Sequence, residues 1–460
     1  MYKLDFNTPA KLHFTGIGGI SMSALAEIML SRHFTVTGSD NKESDMTKHL
    51  EQAGATIFIG QRASNVADDV DILIYTAAVK QDNPELVQAR EKNIPLLTRA
   101  EFLGQMMQNY NTAIGVAGTH GKTTTTSLLS QIMLEAELDP TILVGGIMPT
   151  ISGNTRVGHS DKMITEACEY TNSFLSFAPT VGIILNVAED HLDFFKDLED
   201  IRNSFRKYAE LLPSDGVLVI NGDIDNVDFF TDGLECSVLK VGSNPESNDF
   251  SATNITFNDF ACPSYDLIYK GEVIGHVTLN VTGIHNVYNS LAAIASAHFM
   301  GIDLDTIITA LSHCSGAERR FQYKGNLGNI TIIDDYAHHP DEIKATLTTA
   351  QKYPHNTTWC VFQPHTYTRT KALLNEFAKA LSLSDKVVLA DIYAAREKDT
   401  LGISSKTLQD KIIELGHDAY YFSSFDEIEN FLLNNCIDND MVITMGAGDV
   451  YKIGEKLLGQ

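Results

Sequence analysis

The stretch "GVAGTHGKTTTT", residues 115–126, decides how the rest of the chain is read. Its Gly121, Lys122 and Thr123 match the closing triplet of the phosphate-loop pattern G-x-x-x-x-G-K-[ST]. Counting back, the opening glycine of that pattern would fall on Val116. The glycine present is Gly118, so the loop is short and carries Thr119 and His120 inside it. The apolar run "TAIGVAG" predicts a strand before the loop, and "TTTTSLLSQIMLEAE" predicts a helix after it. In that setting glycines let backbone N–H groups face an anion at a helix N-terminus. Lys122 offers a charge to terminal phosphates and Thr123 a hydroxyl to Mg²⁺. The alternative is a tight strand-to-helix turn that happens to carry a surface lysine.

The same rhythm extends to both sides. "KLHFTG" predicts a strand, "ISMSALAEIMLSR" a helix with Met22, Leu25, Ala26, Met29 and Leu30 on one face, and "FTVTGSD" a second strand. A helix around residues 45–53 leads to the strand "DILIYTAAV", and a polar helical connector is expected over 101–111. Beyond the loop, "KMITEACE", "VGIILN" and "GVLVING" predict strands. Residues 249–279 predict a small antiparallel insertion, followed by the helix "HNVYNSLAAIASAHFMG" and a bend at "HCSGAERRF". A third unit contains the strands "ITIIDDY", "TTWCVFQP", "KVVLADIY" and "DMVITMG", the last followed by "GAGDV". Strand–helix alternation of this kind implies parallel sheets with ligands at the strand C-termini.

Bulk properties narrow the function classes. A chain of 460 residues accommodates roughly three domains of about 150 residues each. The net charge of −25 argues against a non-specific nucleic-acid binder, so anionic ligands need local cationic pockets. No run approaches the ~18 apolar residues of a membrane span, and "MYKLDFNTPAKLHF" lacks the pattern of a secretory signal. Cys168, Cys236, Cys262, Cys314, Cys360 and Cys436 are scattered without a C-x-x-C pair, which fits free thiols in a reducing cytoplasm.

Several strand ends carry chemistry. "ITEACEYTNSF" places Glu166 and Glu169 where a carboxylate can reach a phosphate-bound metal. "NVAEDHLDFF" gathers Glu189, Asp190, His191 and Asp193, which suits either a Mg²⁺ site or an acidic helix start. "DDYAHHP" reads as a substrate-handling loop, with zinc the weaker alternative because adjacent histidines diverge. In "QPHTYTRTK", Arg369 suits two-point capture of a carboxylate, or is a solvated helix residue. Arg319 and Arg320 either reach a phosphate or brace an interface. "HFTGIGGISM" resembles a dinucleotide turn through Gly16, Gly18 and Gly19, with Asp40 near the ribose position. However, Ser21 stands where the third glycine belongs.

Taken together, "AGTHGKTTTT", "TEACEYTNSF", "NVAEDHLDFF", "GIHNVYNS", "GAERRF", "DDYAHHP" and "QPHTYTRTK" resemble the Mur ligase family of bacterial cell-wall synthesis, over essentially the whole chain. The resemblance implies an α/β protein of three domains. These are a Rossmann-like UDP-sugar domain (1–108), a central ATPase domain of phosphate-loop type with a small antiparallel insertion (109–318), and a Rossmann-like C-terminal domain that closes over the site (319–460). It implies that Lys122 and the N–H groups of Gly118, Thr119, His120, Gly121, Thr123 and Thr124 hold ATP, and that Thr123, Glu166 and His191 bind Mg²⁺. His285 and Asn289 are then expected near adenine, Arg320 at the γ-phosphate and Asp335 at the ribose. Gly16, Gly18, Gly19, Ser39 and Asp40 would cradle UDP, while Tyr336, His338 and Arg369 handle the amino acid and the muramyl carboxylate. Two family positions differ here besides Ser21. Thr366 replaces an arginine common in the family, and Arg206 stands where several members carry a carbamoylated lysine.

Within the family, "GIGGISM" and "DDYAHHP" point to the member that adds the first amino acid. The implied reaction joins L-alanine to the lactyl carboxylate of UDP-N-acetylmuramate through an acyl phosphate, with ATP and Mg²⁺, in peptidoglycan precursor synthesis. The implied partners are these small molecules, without nucleic acid or membrane insertion, for a monomer or homodimer. Lys122, His338 and Arg369 are the expected catalytic residues. A ligase that attaches a preformed peptide, or a UDP-sugar sensor with the same fold, remain the alternatives.

Overall fold

The computed structural model describes residues 3–192, 194–395 and 397–460. The chain divides into two compact units, Met1–Ser251 with Leu291–Ile307, and Ala252–Ser290 with Ile308–Gln460.

The first unit opens with strands β1 (Lys11–Thr15), β2 (Thr35–Asp40), β3 (Thr56–Ile59), β4 (Ile72–Tyr75) and β5 (Leu96–Thr98). All pair in parallel, in the order β3-β2-β1-β4-β5. The order reverses between β1 and β4, so the crevice outside their C-terminal ends is the place for a ligand. The helix Ile20–Ser31 buries Met22, Leu25, Ala26 and Met29 as its periodicity predicts. Leu30 is only half-buried, and Ile28 takes its place in the core.

The helix Arg99–Met107 differs from the polar connector expected there. It starts with a capping box between Thr98 and Glu101 and buries Phe102, Leu103, Met106 and Met107. Phe102 meets Phe14 of β1 edge to face at 5.6 Å. Arg99, Glu101 and Gln105 interrupt this short segment, which hid its core-facing stripe.

The phosphate-type loop belongs to the next group of strands. These are β6 (Thr112–Ala117), β7 (Thr141–Met148), β8 (Gly153–Arg156), β9 (Lys162–Glu166), β10 (Val181–Ile184), β11 (Val217–Asn221) and β12 (Ser237–Gly242), in the order β12-β11-β10-β6-β9-β7-β8. β6 runs parallel to both neighbours, with Val116 opposite Glu166 and Ala117 opposite Ile184. The loop after β6 is therefore flanked by the ends of β9 and β10. The sequence patterns did not reveal β7, β8 or β12. β7 and β8 form a glycine-containing antiparallel pair with a register shift, which breaks alternation.

β13 (Phe250–Phe257) begins as a parallel partner of β12 and leads into the second unit. There β14 (Pro263–Tyr269) and β15 (Glu272–Thr278) form an antiparallel hairpin, so the expected insertion is present, with a parallel first contact. A six-stranded sheet follows: β16 (Gln322–Leu327), β17 (Ile330–Asp335), β18 (Thr358–Phe362), β19 (Lys386–Leu389), β20 (Asp418–Tyr421) and β21 (Met441–Met445). Its order is β16-β17-β21-β18-β19-β20; β16 is antiparallel and the rest parallel. β18 shows why the sheet reads as a continuous apolar run. Cys360 and Phe362 pack on one face, Trp359 and Val361 on the other, and both faces are covered. Among the described residues no helix is long and apolar enough to cross a membrane, and all six cysteines are free.

Candidate functional site

The loop after β6 requires its two glycines. Gly118 has φ +145° and Gly121, the N-cap of the helix Lys122–Glu135, has φ +86°. A Cβ on Gly118 would lie 2.9 Å from the Leu185 side chain. The residues after β10 clamp the turn. Thr119 N–H donates to Asn186 O (3.1 Å), His120 N–H to Asn186 Oδ1 (2.8 Å), and Asn186 Nδ2 donates back to His120 O (3.0 Å). The Thr119 hydroxyl accepts from Ala188 N–H at 2.9 Å. Thr123 and Thr124 are buried in the first turn of the helix.

Lys122 folds back over this turn. Its ammonium donates to Gly118 O, to Thr119 O (3.1 Å) and to Glu169 Oε2 (3.0 Å). Burial works to lower the Lys122 pKa. The carboxylate of Glu169, helped by Cys168 and Glu166, outweighs it, so the net shift is upward and the side chain stays charged. The surface-lysine alternative is thereby removed, because this side chain is only 16 % exposed.

Glu166, the last residue of β9, accepts a hydrogen bond from Gly145 N–H at 2.6 Å. His191 sits beyond β10 with φ +53°, its N–H donating to Asp190 Oδ1 at 2.7 Å. The ring of Tyr170, next to Glu169, lies against the His191 imidazole at 4.5 Å between centroids. The topology thus sets Thr123, Glu166 and His191 on three segments that meet at one end of the sheet. A hydroxyl, a carboxylate and one imidazole form a mostly oxygen donor set compatible with Mg²⁺. Asp193 lies outside the described residues. Arg206 holds Glu210 (2.8 Å) and the Phe229 carbonyl (3.2 Å) on its own helix and its neighbour.

At the first strand–helix turn, Gly16 N–H and Ile17 N–H both donate to Ser39 O (2.8 and 3.0 Å), and Gly18 N–H donates to Asp40 Oδ2 (2.9 Å). Gly19 N–H reaches back to Gly16 O at 3.3 Å. The Ser39 hydroxyl donates to the buried Glu85. Ser21, the departure from the glycine pattern, accepts from Arg99 at 3.1 Å.

In the second unit the two arginines separate. Arg319 is committed to structure: it donates to Asp334 Oδ2 (2.8 Å) and Gly446 O (2.7 Å) and lies between the rings of Tyr336 and Tyr451. Arg320 lies over Tyr336 at 5.4 Å. Asp335 accepts from Phe321 N–H and Ala337 N–H, each at 2.7 Å. Burial raises its pKa to about 6 against the opposing pull of Arg320 and these two bonds. His285 begins the helix His285–Phe299 and is exposed. Asn289 is buried and donates to Asn286 Oδ1 at 2.8 Å.

His338 Nδ1–H donates to Tyr336 O at 3.0 Å, which leaves the lone pair on Nε2. Burial pushes this imidazole down to about 4, opposed by Glu342 and assisted by Arg369. His339 is used differently, as the N-cap of the helix Pro340–Ala350 in a capping box with Glu342. The two adjacent histidines do diverge in role. The rings of His338 and His365 lie 5.8 Å apart, and Arg369 sits on the short helix Tyr367–Ala372, whose N-cap is Thr366.

The structure gives four residues roles that the sequence did not show. Glu169, expected to reach a phosphate-bound metal, pairs with Lys122 at 3.0 Å, and Asn286 lies inside a quoted motif. Glu85 and Glu397 had no local signal at all. Glu397 accepts from Tyr367 N–H (2.7 Å) and Thr368 N–H (3.0 Å) and so caps the Arg369 helix from 30 residues away.

A phosphate-type loop at the head of a parallel sheet, with acidic neighbours on the adjoining strand ends, defines a nucleotide-loop α/β protein with three sheets. Family models agree along the chain: "Mur ligase family, catalytic domain" matches residues 11–111, "Mur ligase middle domain" 116–297 and "Mur ligase, glutamate ligase domain" 319–448. The chain belongs to the Mur ligase family. It is 57% identical to UDP-N-acetylmuramate–L-alanine ligase of Lachnospira eligens, covering 100% of both chains. Among solved structures it is similar to UDP-N-acetylmuramate–alanine ligase of Thermotoga maritima, with TM-score 0.80, 31% identity and 98% of each chain covered. It also shares its fold with a murein peptide ligase of Psychrobacter arcticus, with TM-score 0.71, 24% identity and 98% of each chain covered.

Proposed function

We propose that this protein is the ATP-dependent ligase that joins L-alanine to the lactyl carboxylate of UDP-N-acetylmuramate, releasing ADP and phosphate in peptidoglycan precursor synthesis in the cytoplasm. Full-length identity of 57% to a relative named for this reaction supports the reading. The observation that carries it in the molecule is the charged, buried Lys122 in a glycine turn beside Glu166 and Glu169. We assign UDP-sugar binding to 1–108, ATP binding to 109–318 and amino-acid binding to 319–460.

A carboxylate is a poor acyl donor, and transfer of the γ-phosphoryl group gives its oxygen a good leaving group. Thr119 and His120 N–H are committed to Asn186, so Lys122 and the N–H groups of Gly121 to Thr124 at the helix start offset the repulsion between the ATP tail and the carboxylate. Arg320 adds positive charge toward the γ-phosphate, and Asp335, with Asn289 and His285, holds the nucleoside. Mg²⁺ bound by Thr123, Glu166 and His191 would supply further charge neutralisation at the phosphates. Arg369 and Tyr336 orient the amino acid and the muramyl carboxylate. His338, its Nδ1–H committed to the Tyr336 carbonyl, presents Nε2 as the acceptor for a proton of the alanine ammonium before the amide forms.

Coupled ADP release with UDP-N-acetylmuramate against a panel of amines tests this reading. L-Alanine should give turnover, while glycine, L-serine and a tripeptide should be poorer. Turnover with the peptide alone would instead mark a peptide-attaching ligase, and sugar-nucleotide binding without ADP would mark a sensor.

A further inference from the structure

One fully buried carboxylate of the first unit with three side-chain donors belongs to none of the residues discussed as ligands. Glu85 is 0% exposed and stands in the first turn of the helix Pro84–Glu91, which follows β4. Its Oε2 accepts from the hydroxyls of Thr15 and Ser39, each at 2.7 Å, and its Oε1 from Asn65 Nδ2 at 2.7 Å. Thr15 ends β1 and immediately precedes Gly16. Ser39 precedes Asp40, and its carbonyl takes the N–H groups of Gly16 and Ile17. Asn65 Nδ2 also donates to Gly60 O at 2.9 Å, and Gly60 N–H donates to Asp40 O at 2.7 Å. One carboxylate therefore ties down both residues that flank the glycine turn and, through Gly60, the Asp40 backbone whose side chain meets Gly18.

A buried charge costs several kcal/mol unless it is paired. His13 of β1, also 0% exposed, lies against it, with Nε2 3.3 Å from Glu85 Oε2. The Thr37 hydroxyl donates to Leu12 O at 3.1 Å and so accepts from His13 Nδ1–H at 2.9 Å. Burial alone would push the Glu85 carboxyl up; the bonds from His13 and Thr15 reverse this and hold it below the usual carboxylate value. A fold that merely needed to fill this crevice would do so more cheaply with apolar side chains. The crevice is the switch point between β1 and β4, where parallel sheets bind ligands.

We propose that Glu85 is a positioning residue for the nucleotide-sugar turn, fixing Gly16–Gly19 and Asp40 through Thr15, Ser39 and Asn65 without itself touching substrate. The inference rests on the assignment of UDP-N-acetylmuramate to this turn.

Steady-state kinetics on Glu85→Gln, at a temperature where circular dichroism shows it folded, provides the test. KM for UDP-N-acetylmuramate should rise by about tenfold or more, the scale of one lost charge-assisted hydrogen bond, with KM for ATP and for L-alanine little changed. Thr15→Val, which removes one donor to Glu85 at a residue given no ligand role, should raise the same KM by a smaller factor and carry the test if Glu85→Gln fails to fold. Unchanged sugar-nucleotide KM in the folded variants would overturn the role of Glu85, as would equal increases for sugar nucleotide and ATP. Wild-type turnover of UDP-N-acetylmuramate tests the functional reading on its own, so the two failures are distinguishable.

Discussion

The ammonium of Lys122 lies 3.0 Å from Oε2 of Glu169, a carboxylate that is 2 % exposed. The pair links the start of the Lys122–Glu135 helix to the segment after β9, so the phosphate-type turn is held closed by its own charges. Removing one partner leaves the other charge buried and unpaired, which costs about 3–5 kcal/mol. Glu169→Ala and Lys122→Ala should each lower stability on that scale in urea unfolding. The double variant should be less destabilised than the sum of the two, which a double-mutant cycle reads directly. Strict additivity would mean that the ion pair contributes nothing to the turn.

Lys122 also has a part in the chemistry. Lys122→Ala should lose turnover by roughly two orders of magnitude or more, the scale of one deleted group that stabilises developing charge, yet still bind UDP-N-acetylmuramate in calorimetry. Turnover near wild type would remove ATP from this turn.

Arg319 and Arg320 are adjacent in sequence and should behave in opposite ways. Arg319 holds Asp334, Gly446 and two tyrosine rings. Arg319→Ala should lower the melting temperature, since it strands the nearly buried Asp334. Arg320→Ala should leave the melting temperature nearly unchanged and cut turnover. The reverse pattern would exchange their roles.

His338 predicts a pH dependence of definite sign. Its folded pKa of about 4 lies below the ordinary histidine value, so the unfolded chain binds more protons between the two. The stability that depends on this group is complete above about pH 6.5 and is lost as pH falls toward 4. His338→Gln should flatten that part of the stability profile. An unchanged slope would show that the imidazole is not held neutral.

Arg369 should matter after ATP is bound. Arg369→Ala is expected to raise the L-alanine KM and slow amide formation, with ATP affinity preserved. Unchanged dependence of rate on L-alanine would refute its placement.

What could be read in the sequence was local. The Gly118–Thr124 turn, Glu166 at the end of β9 and the Tyr336–His338 loop each declare themselves within a few residues, because strand, turn and helix signals are contiguous there. Glu85 and Glu397 do not: each acts through partners 20 to 70 residues away, and only the parallel sheet order brings them together. The Arg99–Met107 helix was misread because three charged and polar side chains masked a buried stripe. β7 and β8 escaped because glycines and a register shift broke their alternation. The Lys122–Glu169 bond stands between these cases. Both residues were visible as candidates, but their partnership required the register of β6 against β9.

The central claim is that the terminal phosphoryl group of ATP passes through the muramyl carboxylate on the way to an amide. UDP-N-acetylmuramate labelled with ¹⁸O in its lactyl carboxylate, incubated with the enzyme, ATP and L-alanine, tests it most directly by mass spectrometry of the products. The account predicts one ¹⁸O in the released phosphate and one in the new amide. Label in AMP, or no label in phosphate while the amide forms, would contradict it.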